Sequence, residues 1–168
     1  MASKAEGSRG TYRDCHIVIE RGQRARDKKN QQASVAALTE EELRRAHNEY
    51  RLELSEHIEH CLSQLPGHIP GFTYQTVVGD RGWGAACNRD DVGLRPDNKR
   101  ANFFSRLEMV VRPYGTHHVL DLAAKGTVRN KEVYSRNHFE LLADADVDSF
   151  KEFVDLWVLE YAELFAAS

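Results

Sequence analysis

Five side chains that could carry acid–base or metal chemistry lie in the alternating stretch Phe103–Leu142. They are three carboxylates and two histidines: Glu108, Asp121, Glu140, His117 and His138. Carboxylates held side by side can share a proton, because their mutual repulsion raises a pKa. Oxygen-rich groups also suit magnesium, calcium or manganese. Either chemistry requires the strands of this stretch to bring the five residues together.

Alternating apolar and polar residues predict three consecutive antiparallel strands here. Pro113-Tyr114-Gly115 provides the chemistry of a first turn, and a second turn is expected at Asn130-Lys131. The favoured register pairs Leu107 with Leu122 and Leu122 with Phe139, because a slip by one residue would place leucine opposite aspartate. The apolar face is then continuous across all three strands.

On the reverse face, this register aligns Glu108, Asp121 and Glu140 in one row. The surrounding positions form a candidate binding surface: Arg106, Val110, Arg112, Val119, Arg136 and Leu142. Like charges directly opposite one another destabilise a sheet, so the row needs compensation. Two explanations stay open. Nearby basic side chains could balance the row on a wet surface, or the row could hold a divalent cation or a shared proton.

A second group of possible metal ligands lies on a predicted helix. Glu53, His57 and Cys61 are spaced i, i+4 and i+8, with His60 near them, so they share one helical face. One helix supplies too few ligands, and no second cluster in the sequence completes a known metal-binding spacing. The pattern therefore favours packing and solvated histidines over a metal site.

Two further motifs favour structural explanations. The glycine-rich run at 79–84, GDRGWG, lacks the lysine of a phosphate-binding loop and precedes no helical pattern, so it indicates a hairpin turn. Cys87 has no obvious activating base near it in sequence, which argues against a nucleophile.

Two amphipathic helices flank the predicted strands. Thr39 and Glu42 form a capping box that begins the first helix, and Pro66-Gly67 is expected to end it. Asp144 or Asp146 can cap the second helix. That helix carries an aromatic stripe: Phe150, Phe153, Trp157, Tyr161 and Phe165. The sequence thus predicts an α+β fold, a two-layer sandwich in which an antiparallel sheet of about five strands has an N-terminal and a C-terminal helix packed on one face.

The N-terminal part differs from the rest in charge. Residues 1–34 contain eight Lys/Arg and four Asp/Glu and are expected to be a flexible basic segment, with a possible short strand at 12–19. Residues 35–168 are expected to form a single domain. A nucleic-acid partner is not expected, because no aromatic residue is interleaved with the basic run and residues 35–168 carry a net charge of −7.

Bulk composition sets the class of protein. The chain has 168 residues, 41% of them hydrophobic, and a net charge of −3. Three distant cysteines without a CxxC pair indicate a reducing compartment. The first residues lack the apolar core of a secretory signal, and no apolar run approaches the ~20 residues that span a bilayer. These features predict a soluble cytoplasmic protein with no membrane association and no cofactor.

Two hypotheses for function follow. The first is a small binding or adaptor protein without catalytic activity, with a protein or peptide partner. It is expected to self-associate as a homodimer, because Leu156 and Leu159 widen the apolar stripe of the second helix. The alternative is a metal-assisted hydrolase or acid–base enzyme that uses the carboxylate and histidine row.

Overall fold

A computed structural model describes residues 18–30 and 39–168 of the chain. The first range and the body of the protein, Glu40–Ser168, belong to two separate compact units. Residues 18–30 form a helix, α1, whose side chains are all exposed.

Helix α1 lies within the segment that was expected to be flexible and basic. Residues 18–19, at the end of the possible short strand, are helical. Residues 12–17 of that strand lie outside the described residues. Arginine, lysine, glutamine and alanine all have good helix propensity, and Glu20 and Arg24 form an i,i+4 ion pair at 3.9 Å.

The body consists of a helix, five strands and a second helix, which confirms the α+β class. Helix α2 covers Glu40–His68 and helix α3 covers Val147–Ala166. Between them lie the strands β1 (Thr73–Gly79), β2 (Gly82–Leu94), β3 (Arg100–Val111), β4 (Val119–Val128) and β5 (Lys131–Leu141). They form one antiparallel sheet in the order β1-β2-β3-β4-β5.

Both helices of the body cover the same face of the sheet. The core contains alternate residues of the central strands and the apolar faces of α2 and α3. It includes Leu54, Ile58, Leu62, Leu107, Met109, Val111, Leu120, Leu122, Phe150, Val154, Trp157 and Tyr161. Tyr134 on β5 donates a hydrogen bond to the carbonyl of Trp157, and the Tyr161 hydroxyl donates to the carbonyl of Thr127. The opposite side of the sheet, here called the open face, has no helix of the body on it.

Helix α2 continues past the proline that was expected to end it. Pro66 lacks an N–H group, so the carbonyl of Leu62 loses its usual helical donor. The thiol of the buried Cys87 donates to that carbonyl instead, at 3.1 Å. The helix then closes with Ile69 N–H donating to the carbonyl of Leu65. A cysteine on the sheet therefore satisfies the backbone group that the proline leaves open.

The predicted register of β3 against β4 was wrong by four residues. Leu107 pairs with Gly126 and Val111 with Leu122, because a long connection, residues 112–118, replaces the tight turn that was expected. An even shift leaves every side chain on its predicted face. It changes the cross-strand neighbours, however, and Glu108 now lies opposite Lys125.

The predicted register of β4 against β5 was wrong by one residue. Arg129 and Asn130 form a two-residue turn with positive φ at both positions, 48° and 67°. The Asn130 side chain fixes this turn to β3 by accepting a hydrogen bond from Phe104 N–H. With a bulge at Gly126, the strands pair Leu122 with His138. From Tyr134 to Leu141, this shift by one residue turns each side chain to the face opposite the predicted one.

Candidate functional site

The corrected registers separate the five predicted catalytic residues. Glu108 and Asp121 lie on the open face, but about four residues apart along the sheet, which is roughly 13 Å at strand spacing. Glu140 pairs with Leu120 and thus lies on the helix-covered side. His117 is exposed in the connection between β3 and β4. The row of three carboxylates is therefore not formed.

Glu108 forms ion pairs with two arginines. Its carboxylate forms a short ion pair with Arg106 on the same strand and lies 3.4 Å from the guanidinium of Arg81. Arg106 is held in turn by a 2.6 Å hydrogen bond to the side-chain oxygen of Asn88. Only 14% of the Glu108 side chain is exposed. The group is a well-paired anion.

Asp121 has its own partner, Arg112, at 3.6 Å. Arg112 also donates its backbone N–H to the carbonyl of Asp121. One oxygen of the Asp121 carboxylate, Oδ1, is buried without a hydrogen-bond partner. These contacts match the explanation in which basic side chains balance the acids.

His138 and Glu140 serve the packing of α3. The imidazole of His138 stacks on Phe153, with ring centroids 4.2 Å apart, and its Nε2 lies 3.0 Å from the Glu140 carboxylate. Glu140 also accepts a hydrogen bond from the backbone N–H of Asp146, just before α3 begins. Both residues hold the start of the helix against β5.

The residues of the predicted binding surface likewise do not all lie on one face of the sheet. Four of its members lie on the open face: Arg106, Val110, Arg112 and Val119. Arg136 lies on the helix side, where it binds Glu160 of α3, with 2.7 Å between Nη2 and Oε1. Leu142, only 3% exposed, belongs to the core. The one-residue shift of β5 accounts for Arg136, because it moves that side chain to the helix face.

The same shift brings two apolar side chains to the open face that had been assigned to the core. Phe139 and Leu141 are 61% and 51% exposed. They pair with Asp121 and Val119 on β4. The signal that could have located them is the pair Arg129-Asn130, because asparagine tolerates the positive φ that a two-residue hairpin turn needs.

A cleft of about 390 Å³ opens on this face. Val110 and Ala123 lie at its base, and charged residues surround them: Asp80, Arg81, Glu108, Arg112 and Lys125. The cations are paired at the rim, Lys125 with Glu132 at 3.1 Å for example. The cleft thus has a small apolar centre and a rim of ion pairs.

A second constellation lies between the two helices of the body. His57 and Cys61 of α2 meet Asp155 of α3, and one donor atom of each lies within 4.8 Å of the other two. The distances are 2.8 Å between His57 Nε2 and Asp155 Oδ1, 3.6 Å between Cys61 Sγ and His57 Nε2, and 3.3 Å between Cys61 Sγ and Asp155 Oδ1. The sequence had grouped Glu53 with this histidine and cysteine, but Glu53 binds Lys151 at 2.5 Å.

Sequence reasoning missed Asp155 because its position depends on how α3 packs on α2. Glu53 contacts Lys151 and His57 contacts Asp155, so both helices advance by one turn in the same direction and run parallel. In the sequence, this contact is indicated only by matching spacings: Glu53 and His57 are four residues apart, and so are Lys151 and Asp155.

Neither cysteine of the body is an activated nucleophile. Burial and the neighbouring Asp155 raise the pKa of the Cys61 thiol to about 12. Burial raises the pKa of the Cys87 thiol to about 11. The thiolate is the reactive form, so both groups are unreactive near neutral pH.

Neither a protein-family model nor a curated protein or solved structure matches the chain significantly. Among residues 18–30 and 39–168, no helix is both long enough and apolar enough to cross a membrane.

Proposed function

We propose that this chain is a binding protein without catalytic activity, and that its open face receives a segment of a polypeptide partner. The observation that carries the proposal is that one face of the sheet combines a cleft lined by Val110 and Ala123 with the exposed side chains of Phe139 and Leu141. Protein interfaces combine an apolar centre with a polar rim and are enriched in aromatic residues and arginine.

The apolar side chains of the open face lie in neighbouring rows of the sheet. Val110 pairs with Ala123 on β4. Phe139 pairs with Asp121, which precedes Ala123 by two residues on the same strand. Val119 and Leu141 form a further row toward the end of β5. An exposed phenylalanine and leucine on a sheet face are unfavourable in water and become favourable when a partner covers them.

The rim favours a partner of mixed charge. Arg81, Arg112 and Lys125 each pair with a carboxylate, at 3.4, 3.6 and 3.1 Å. The cationic member of each pair is largely exposed, so solvent screens the pair and a partner's own anionic group can compete for the cation at small cost. Polyanions are disfavoured because the rim carries acids beside its cations.

The alternative enzyme hypothesis depended on the carboxylate row. Glu108 and Asp121 lie apart with separate arginine partners, and Glu140 belongs to the helix side. No observation on the open face therefore favours acid–base chemistry over binding.

The proposal includes self-association through α3. Leu156 and Leu159 are 57% and 69% exposed. Sedimentation at micromolar concentration is expected to give about twice the chain mass of 19.2 kDa. Leu159→Glu should shift the protein to the monomer, because it places a charge in the apolar contact. A monomeric wild type across a concentration series would remove this part of the proposal.

The binding role is tested with a displayed library of random peptides selected on the wild-type chain. Enriched peptides should combine an aromatic or aliphatic residue with charged neighbours. They should lose binding to Phe139→Asp and keep it on the matched control Leu159→Glu, which changes a similarly exposed residue on the helix side. Failure to enrich any peptide, or equal binding to Phe139→Asp, would contradict the proposal.

A further inference from the structure

The contact between His57, Cys61 and Asp155 has a geometry that a helix–helix contact does not require. In a nucleophilic relay, the thiol and the carboxylate would bind different nitrogens of the imidazole. Here both approach the same atom, Nε2. Three atoms with lone pairs therefore face one common point.

The spacing of the three atoms approaches that of a metal-binding triangle. A tetrahedral zinc ion with bonds of ~2.0–2.3 Å holds its ligand atoms roughly 3.3–3.6 Å apart. The two distances from Cys61 Sγ are 3.6 and 3.3 Å. The third, 2.8 Å, is the length of a hydrogen bond and would have to open by about half an ångström. The side chains of His57 and Asp155 are 24% and 54% exposed, so this movement disturbs no core packing.

The donor types select the class of metal. One imidazole nitrogen, one thiol sulfur and one carboxylate oxygen suit zinc, a borderline ion. Magnesium and calcium prefer all-oxygen sites. His57 and Cys61, spaced i and i+4 on one helix, present two ligands on one face, and Asp155 comes from a second element.

The fourth coordination position would face a pocket of about 500 Å³. Cys61 and Asp155 lie in its wall together with apolar side chains of both helices, Leu65, Val158 and Leu159 among them. His68 lines the same pocket, but it follows Cys61 by seven residues, about 10 Å along the helix axis, too far to bind the same ion. The arrangement thus resembles a three-ligand site that keeps one position open.

We propose that His57, Cys61 and Asp155 form a Zn²⁺ site between α2 and α3, with a water molecule or another small ligand in the fourth position. Zinc binds the thiolate form of cysteine, so binding would displace the Cys61 thiol proton to solvent. The site would also cross-link the two helices.

The experiment is a titration of the EDTA-treated, dialysed full chain with Zn²⁺ by calorimetry at pH 8, and with Co²⁺ by absorption spectroscopy. One Zn²⁺ should bind per chain, with release of about one proton. Co²⁺ should give a thiolate charge-transfer band together with the visible bands of tetrahedral coordination. Cys61→Ser and Asp155→Asn should each weaken binding by roughly 100-fold or more. His68→Ala, the matched control in the same pocket, should bind as the wild type does.

Circular dichroism establishes that each variant is folded before it is titrated. Asp155→Asn changes a half-exposed side chain, so it keeps the test valid if Cys61→Ser does not fold. Binding of less than one ion per chain at saturation, the absence of a thiolate band, or equal affinity in Asp155→Asn would overturn the proposal. The cluster would then be a hydrogen-bonded contact between the helices.

Discussion

The two faces of this sheet are made by the same strands and differ in almost every physical respect. On the helix face, Leu107, Met109 and Leu122 are completely buried under α2 and α3. On the open face, Glu108, Asp121 and Lys125 each have a partner of opposite sign, and Phe139 remains largely exposed. The helix face contains the residues that maintain the fold, and the open face is the surface proposed to bind a partner.

The largest difference between the faces should appear when an aromatic residue is removed from each. Trp157→Ala empties a buried site on the helix face, where only 4% of the side chain is exposed. It should lower the free energy of unfolding by about 3–5 kcal/mol. Phe139→Ala, on the open face, should change it by less than about 0.5 kcal/mol. Urea denaturation measures both values, and equal midpoints for the two variants would remove the distinction between the faces.

A smaller effect is expected from pH, through a histidine on the helix side. His47 of α2 is 1% exposed, and its Nε2 contacts the carbonyl of Arg112 at 3.0 Å. Burial lowers the pKa of His47 below its ordinary value of 6.5. As the pH falls, His47 is therefore protonated at a higher pH in the unfolded chain than in the folded chain. The free energy of unfolding should decrease as the pH drops below about 6.5.

His47→Gln tests this origin of the pH dependence. Glutamine can still donate to the carbonyl of Arg112 but does not titrate. The melting temperature of His47→Gln should decline less between pH 7.5 and pH 5 than that of the wild type. His117→Gln is the control, because it removes an exposed histidine. Identical pH dependence in wild type and His47→Gln would show that other groups cause the decline.

The smallest effect is expected for the acids of the open face. Asp121→Asn removes one member of an ion pair whose arginine is 56% exposed, so the free energy of unfolding should change by less than about 1 kcal/mol. Millimolar Mg²⁺ should leave the melting temperatures of wild type and variant unchanged, because Glu108 and Asp121 are too far apart to share an ion. If Mg²⁺ raised the melting temperature of the wild type and not that of Asp121→Asn, the result would support a cation bound by the carboxylate row.

Sequence reasoning reached the fold because its signals are local. Alternation in β3 and β4, and the periodic apolar residues of α2 and α3, each fix one face of one element. Register depends on the turns instead. The Asn130 side chain selects its turn through hydrogen bonds to Phe104 and Asn102 on a strand far away in sequence, which no local pattern contains.

The candidate sites were less accessible to sequence reasoning for the same reason. A single-residue error at the β4–β5 turn moved Phe139 and Leu141 into the core of the predicted fold and placed Glu140 on the open face. Asp155 reaches His57 only because α3 lies parallel to α2, a consequence of packing across the whole sheet. Helix α1 was missed because its residues bury nothing, and only their helix propensity indicates the structure.

The central claim is that the open face binds the partner polypeptide, while the surface of α3 serves self-association. Its most direct test is a titration of the isotope-labelled chain with a peptide selected by display, followed through backbone amide chemical shifts. The account predicts saturable shifts on β3, β4 and β5 around Val110, Val119 and Phe139, with α2 and α3 unchanged. Shifts concentrated around Leu156 and Leu159 on α3 would contradict it.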